Sequence, residues 1–204
     1  TALLPKAEKK EAPAKTEDGR KIWPERPGIY KNNLAILKEY VGGDLGPLLS
    51  KMPKKDIPID KDIRIRGLKN PLSLIVIGFS TNALWRNALR EKEVIKNIYI
   101  IEPDLSNFHE AIKREDISEI IEKDWIELII GTPEESLLPI LYSAFTKADS
   151  RGPRSSRVLN MEVIIDPFAY PFTLDKSGPE PRRIFHPTVQ RIKAIVQETT
   201  KHLQ

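Results

Sequence analysis

The chain has 204 residues and 23.3 kDa, enough for one domain with a proper core plus some tail. At 40% hydrophobic and 30% charged it reads as soluble and globular, and no apolar run approaches the ~18 residues a membrane span needs. The absence of cysteine excludes disulfides, thiolate catalysis and Cys-based zinc or iron–sulfur sites.

A reducing, cytoplasmic location fits that composition, and the Lys/Glu/Pro/Ala-rich N-terminus has no signal-peptide pattern. The first residue is Thr1, as in a fragment or a processed chain. The net charge of +4 is unevenly spread: residues 31–90 carry 11 basic and 5 acidic side chains, residues 91–135 carry 5 and 13, and residues 151–193 carry 8 and 4. Basic blocks that bind nucleic acid are interleaved with aromatics or accompany a recognisable motif. Neither is present, so these blocks are read as solvated surface, and no nucleic-acid partner is expected.

Residues 1–30 read as an extended or disordered arm, with Pro5, Pro13, Pro24 and Pro27 among charged side chains and too few apolar groups to offset the ordering entropy. Residues 31–70 form a helical, Pro-punctuated segment. Asn32 or Asn33 would cap a short helix through Leu34, Leu37 and Tyr40, stopped by Gly42-Gly43, and Ile57, Ile59, Ile63 and Ile65 alternate as in a strand.

Residues 71–204 read as a Rossmann-like α/β domain with a Pro/aromatic loop and a C-terminal helix. Strands are expected near 73–77, 98–101, 126–130 and 162–165. Between them lie a helix through Ala83, Leu84, Trp85 and Leu89, one through Leu105, Phe108 and Ile112 with Asp104 as its cap, and a short one through Ile117, Ile120 and Ile121. Thr132-Pro133-Glu134-Glu135 then starts a helix, Thr132 as cap and the two carboxylates on the helix dipole, with Leu137, Leu138, Leu141 and Phe145 inward. A loop covers 149–158, and a last helix runs from Thr188 to His202. Strands alternating with helices give the fold class: α/β, doubly wound, with a mostly parallel sheet.

Open α/β sheets bind ligands at the carboxyl ends of their strands. Those positions hold Gly78-Phe79-Ser80-Thr81-Asn82, then Glu102-Pro103-Asp104, then Gly131-Thr132-Pro133-Glu134. Small residues let a backbone approach a phosphate or adenosine ahead of a helix N-terminus. An acid at the end of the second strand can accept both ribose hydroxyls, and Glu102 lies 24 residues after Gly78, near the ~20 expected. The candidate cofactor-binding set is therefore Gly78, Ser80, Asn82, Glu102 and Gly131, with S-adenosylmethionine or a nucleotide-type ligand as its occupant. Against this, Ser80 and Asn82 stand where glycines would open the approach. The competing reading is a plain strand-to-helix turn, with Thr81 or Asn82 as a cap and Glu102 solvated.

The nearest enzyme class by layout is the class I S-adenosylmethionine-dependent methyltransferases. Similar sequences place an acid two positions before the first Gly, where this chain has Val76. They often place another after the third strand's Gly, where it has Thr132. Of the three acids only Glu102 remains, which leaves a methyltransferase with a degenerate glycine turn as the alternative.

Ile75–Ser80, then Ile98–Phe108 with Glu102-Pro103-Asp104 at its centre, then Ile129–Pro133 resemble the N-terminal domain of the motility-associated factor (Maf) family, bacterial flagellin nonulosonic-acid glycosyltransferases. Met161–Asp166 and Thr188–His202 resemble the end of that domain. The resemblance spans about residues 30–204. It implies an accessory, non-catalytic Rossmann-like domain, standing alone or cut from a longer chain, that organises a transferase or docks its protein substrate. The family's central transferase domain, with its sugar-nucleotide site, is not within these 204 residues, so no catalytic residue is carried over and no cofactor is implied. The partners implied are flagellin or the chain's own transferase domain.

The remaining residues add little chemistry. His109, His186 and His202 have no metal-ligand spacing, with His109 read on a helix surface and His186 ahead of Pro187. Trp85 is read as helix-to-sheet packing. The stretch Asp166-Pro167-Phe168-Ala169-Tyr170-Pro171-Phe172 follows a strand end, and its aromatics are expected to cover the cleft or dock a neighbouring protein surface.

Overall fold

The computed structural model describes residues 14–15, 21–22, 24–55, 73–80, 95–149, 152–153, 160–178 and 182–203. Its centre is a parallel four-stranded sheet of β3 (Ser73–Ile77), β4 (Asn97–Glu102), β5 (Ile126–Ile130) and β8 (Met161–Ile165). The expected strand positions are met within a residue or so. The order across the sheet is β5-β4-β3-β8, with Ile75 opposite Tyr99 on one side and Val163 on the other.

Side chains alternate across the pleat, which divides the core into two layers. Leu74, Val76, Ile98, Ile100 and Leu128 face one side, packed by α1 (Pro27–Val41), α2 (Gly46–Leu49), α3 (Leu105–Ile112) and α4 (Ser118–Ile121) through Leu37, Leu49, Phe108, Ile112 and Ile120. Ile75, Ile77, Tyr99, Ile101 and Ile129 face the other, packed by α5 (Glu134–Thr146) and α6 (Pro187–Lys201) through Leu137, Leu141, Phe145, Val189, Ile192 and Val196. Strands β3 and β4 are buried along their whole length, as expected for parallel strands covered on both faces.

Among the described residues, three two-stranded antiparallel pairs lie outside this sheet: β1 (Ala14–Lys15) with β2 (Lys21–Ile22), β6 (Ala148–Asp149) with β7 (Gly152–Pro153), and β9 (Thr173–Asp175) with β10 (Arg182–Ile184). Among the described residues no helix is long and apolar enough to cross a membrane.

Several local expectations are corrected. α1 begins at Pro27, inside the segment read as an arm, and Asn33 does not cap it. Asn33 is fully buried instead: its amide donates to Ile112 O and Glu115 O, both at 2.7 Å, and its oxygen accepts from Ile117 N at 3.2 Å. It ties the end of α3 and the start of α4 to α1. Thr132 does not cap α5, because Pro133 occupies that position with no side-chain bond. Gly42 does end α1, at φ +72°, and Asp104 does cap α3, accepting from Ser106 N at 2.8 Å. His109 is buried rather than on a surface, with its Nε2 2.9 Å from the Tyr30 hydroxyl. The strand read at 57–65 and the helix through Trp85 lie outside the described residues.

The sheet order places the topological switch point between β3 and β8: the chain steps outward through β4 and β5, then returns to the other side of β3. Ligands of open α/β sheets bind at such a point, outside the carboxyl ends of the strands.

Candidate functional site

Three strand ends converge there. β3 ends into Gly78, β4 ends on Glu102, and β8 ends ahead of Asp166. Backbone bonds hold the ends level: Gly78 N donates to Ile101 O, Gly131 N to Glu102 O, and Asp166 N to Ile77 O, each at 2.8 Å.

Of the sequence candidates, Gly78, Ser80 and Glu102 meet at this point. Gly131 ends the neighbouring strand β5, and Asn82 lies outside the described residues. Glu102 is fully buried, not solvated as the competing reading had it. Its Oε2 accepts from Phe79 N at 2.8 Å, and its Oε1 accepts from Asp104 N at 2.8 Å and from the Tyr170 hydroxyl at 2.5 Å. Burial pushes the Glu102 carboxyl up to about 7 against these bonds, which act to lower it. Burial, and then the Glu102 charge, push the Tyr170 phenol upward as well.

A second carboxylate completes the arrangement. Asp166 is 1% exposed, accepting from Ser80 N at 3.1 Å through Oδ2 and from Phe168 N at 2.9 Å and Ala169 N at 3.3 Å through Oδ1. Burial raises its pKa above the ordinary Asp value. Asp104, at the rim, is bonded by Lys55. Its burial acts to raise it, but the Lys55 and Ser106 contacts outweigh that, and it sits below the usual range. Lys55 also reaches Asn107 Oδ1 at 3.2 Å.

The loop after β8 therefore fills the switch point. Gly78 has φ +105°, and a Cβ there would lie 2.9 Å from the Cβ atoms of both Ala169 and Asp166. The close approach that this glycine permits is made by the chain's own loop. Gly131 is similar: at φ +59°, a Cβ there would meet Leu105 Cδ2 at 2.7 Å. Tyr170 turns inward to Glu102, with its ring centroid 6.4 Å from that of His186. Phe172 packs edge-on against Phe185 beneath the Arg183 guanidinium.

Tyr170, Asp166 and Lys55 are the site residues that the strand-end pattern alone did not single out. Asp166 carried a usable signal, since it closes a strand as Glu102 does. Lys55 carried none, lying 49 residues from its partner. Among the described residues, no group of His, Asp and Glu is arranged to hold a metal ion.

No family model matches the chain, and no curated protein matches it. Among solved structures, its fold is similar to that of a MAf glycosyltransferase from Magnetospirillum magneticum AMB-1, at 12% sequence identity and a TM-score of 0.45. The likeness covers 97% of this chain and 32% of that one, so the chain spans about a third of that protein's length.

Proposed function

We propose that this is an accessory, non-catalytic Rossmann-like domain that organises a transferase or docks its protein substrate. On this reading it stands to a flagellin nonulosonic-acid glycosyltransferase as the Maf N-terminal domain does. The residues that resemble that domain, Glu102-Pro103-Asp104 above all, support the assignment of kind. One observation carries the non-catalytic part: the Tyr170 hydroxyl lies on Glu102 Oε1, and Phe79 and Asp104 amides take up the rest of that carboxylate. A ribose diol would have to displace the tyrosine and find room against a glycine turn already packed by Ala169.

The partner would be flagellin or a transferase domain, met in the cytoplasm. Pro171, Phe172 and the β9–β10 pair with exposed Leu174 and Ile184 lie next to the filled cleft and would form the contact.

Titration calorimetry tests the reading. Neither S-adenosylmethionine nor a sugar nucleotide should bind measurably. Micromolar binding of S-adenosylmethionine, abolished in Glu102→Ala, would favour the methyltransferase alternative and overturn the proposal. The gene's reading frame beyond Gln204 provides a second check, because a transferase domain encoded there would support the assignment directly.

A further inference from the structure

The β9–β10 pair carries more exposed chemistry than its own pairing uses. Its register sets Leu174 opposite Arg183 on one face, and Thr173 opposite Ile184 and Asp175 opposite Arg182 on the other. Each face thus presents one aliphatic side chain and one guanidinium, with Leu174 and Ile184 53% and 46% exposed. All three residues of β10 are exposed, and its outer edge pairs with no strand among the described residues. Two strands alone are marginal in water, and a third strand along an apolar surface stabilises such a unit.

The charges on this ribbon are uncompensated. Arg191, at the start of α6, is paired with Glu134, but among the described residues Lys176, Arg182 and Arg183 have no acid partner. Asp175 accepts from Ser177 N at 2.9 Å instead of meeting Arg182 across the ladder. The Arg183 guanidinium lies 4.7 Å from the centre of the Phe172 ring, which holds it in place while leaving its N–H groups unbonded among the described residues. A stacked guanidinium of this kind suits bidentate recognition of a carboxylate. The ribbon also has a fixed base, because Tyr170 and Asp166 tie the preceding loop to the strand ends and Phe172 packs on Phe185.

On the reading that this patch is the domain's protein contact, we propose that β10 is a docking edge for an acidic, extended protein segment. The segment adds to β10 as a third strand, with carboxylates on Arg182 and Arg183 and an aliphatic side chain against Ile184. The edge is that of β10 rather than β9, since Asp175 on β9 would repel an incoming carboxylate. Other anionic surfaces fit less well. Anionic membranes hold clusters of about four to eight cations, whereas residues 173–184 carry three against Asp175 and Glu180. Single-stranded nucleic acid stacks its bases on aromatic faces, and Phe172 is already engaged by Phe185 and Arg183.

Random peptides displayed on phage and selected on the intact chain test this. The enriched peptides should be acidic with an aliphatic residue. A synthetic copy should bind more weakly as salt rises, and at least about tenfold more weakly to Arg182→Glu/Arg183→Glu. Lys31→Glu/Lys38→Glu makes the same charge change at exposed positions of α1 and should leave its binding nearly unchanged. N-methylation at alternate peptide amides should abolish binding to the wild-type chain in one phase and spare it in the other, as an added strand requires. The proposal is overturned if no peptide is enriched, if those enriched have no acidic bias, or if the arginine variant binds as the wild type does. Equal loss in the lysine control, or indifference to N-methylation in both phases, would overturn it as well. So would tight binding of phosphatidylglycerol vesicles or single-stranded DNA through the same arginines, which would assign the edge to another anion. None of these outcomes touches the accessory reading itself, which falls separately if S-adenosylmethionine binds.

Discussion

The Tyr170 hydroxyl donates to Glu102 Oε1 at 2.5 Å across 68 residues of chain, supplying from within the protein the kind of bond a ribose would make to a strand-end acid. With the Phe79 and Asp104 amides on the same carboxylate, a fully buried acid is satisfied without a ligand. A buried acid left unpaired is expensive, so an empty cleft would have to be filled by something. In this chain the loop after β8 fills it.

The two strand-end glycines should differ in their tolerance of a methyl group. Gly78→Ala must accommodate φ +105° and a Cβ against two Cβ atoms that cannot swing away. It should destabilise the fold by roughly 2–5 kcal/mol, combining backbone strain with overpacking. Gly131→Ala, at φ +59° and against Leu105 Cδ2 and Cγ, one side chain that can turn aside, should cost only about 1–2 kcal/mol. Urea midpoints of the two variants check the order, and a Gly131→Ala variant less stable than Gly78→Ala would refute it.

Asn33 should rank with core residues in its effect on stability. It satisfies two carbonyls and one amide at the α3–α4 junction from a fully buried position. Asn33→Ala should therefore lose roughly 2–4 kcal/mol, as expected when buried partners are stranded. Equilibrium unfolding in urea would measure it, and a loss below about 1 kcal/mol would mean that water replaces the amide.

His109 should resist protonation. Burial first, and then the Lys113 charge, hold its pKa below the ordinary 6.5. Among the described residues its Nδ1 has no hydrogen-bond partner, so an added proton there would be stranded. The folded value is depressed, so the stabilising contribution is present above 6.5 and is lost as the pH falls through the folded value. NMR titration of the His109 Cε1 proton should give a midpoint below 6.5, whereas a midpoint at or above it would contradict this account of the α1–α3 joint.

The sheet was legible because its strands are short apolar runs closed by Gly78, Glu102, Gly131 and Asp166, and parallel strands covered on both faces leave that mark in sequence. The strand-end set was legible for the same reason, since Gly78, Ser80 and Glu102 stand where the fold demands small or acidic residues. What occupies the set was legible only as one of two alternatives, the aromatics of 166–172 covering the cleft or docking a partner, and the residue and bond were not. The bond between Glu102 and Tyr170 depends on how a seven-residue stretch of Pro and aromatics folds back across β3, and no periodicity records that. Asn33 was misread on similar grounds. Asparagine near a helix start usually signals a cap, and only the packing of α1 against α3 turns it inward to serve another helix's end.

The filled cleft is tested most directly at the two amides that share Glu102 with Tyr170. The amide resonances of Phe79 and Asp104 can be followed by NMR while S-adenosylmethionine, and then a sugar nucleotide, is added to millimolar concentration. No saturable shift should appear at either amide, in the wild-type chain or in Glu102→Ala. A saturable shift at both with a micromolar midpoint, lost in Glu102→Ala, would show that a ligand displaces Tyr170 and would contradict the account.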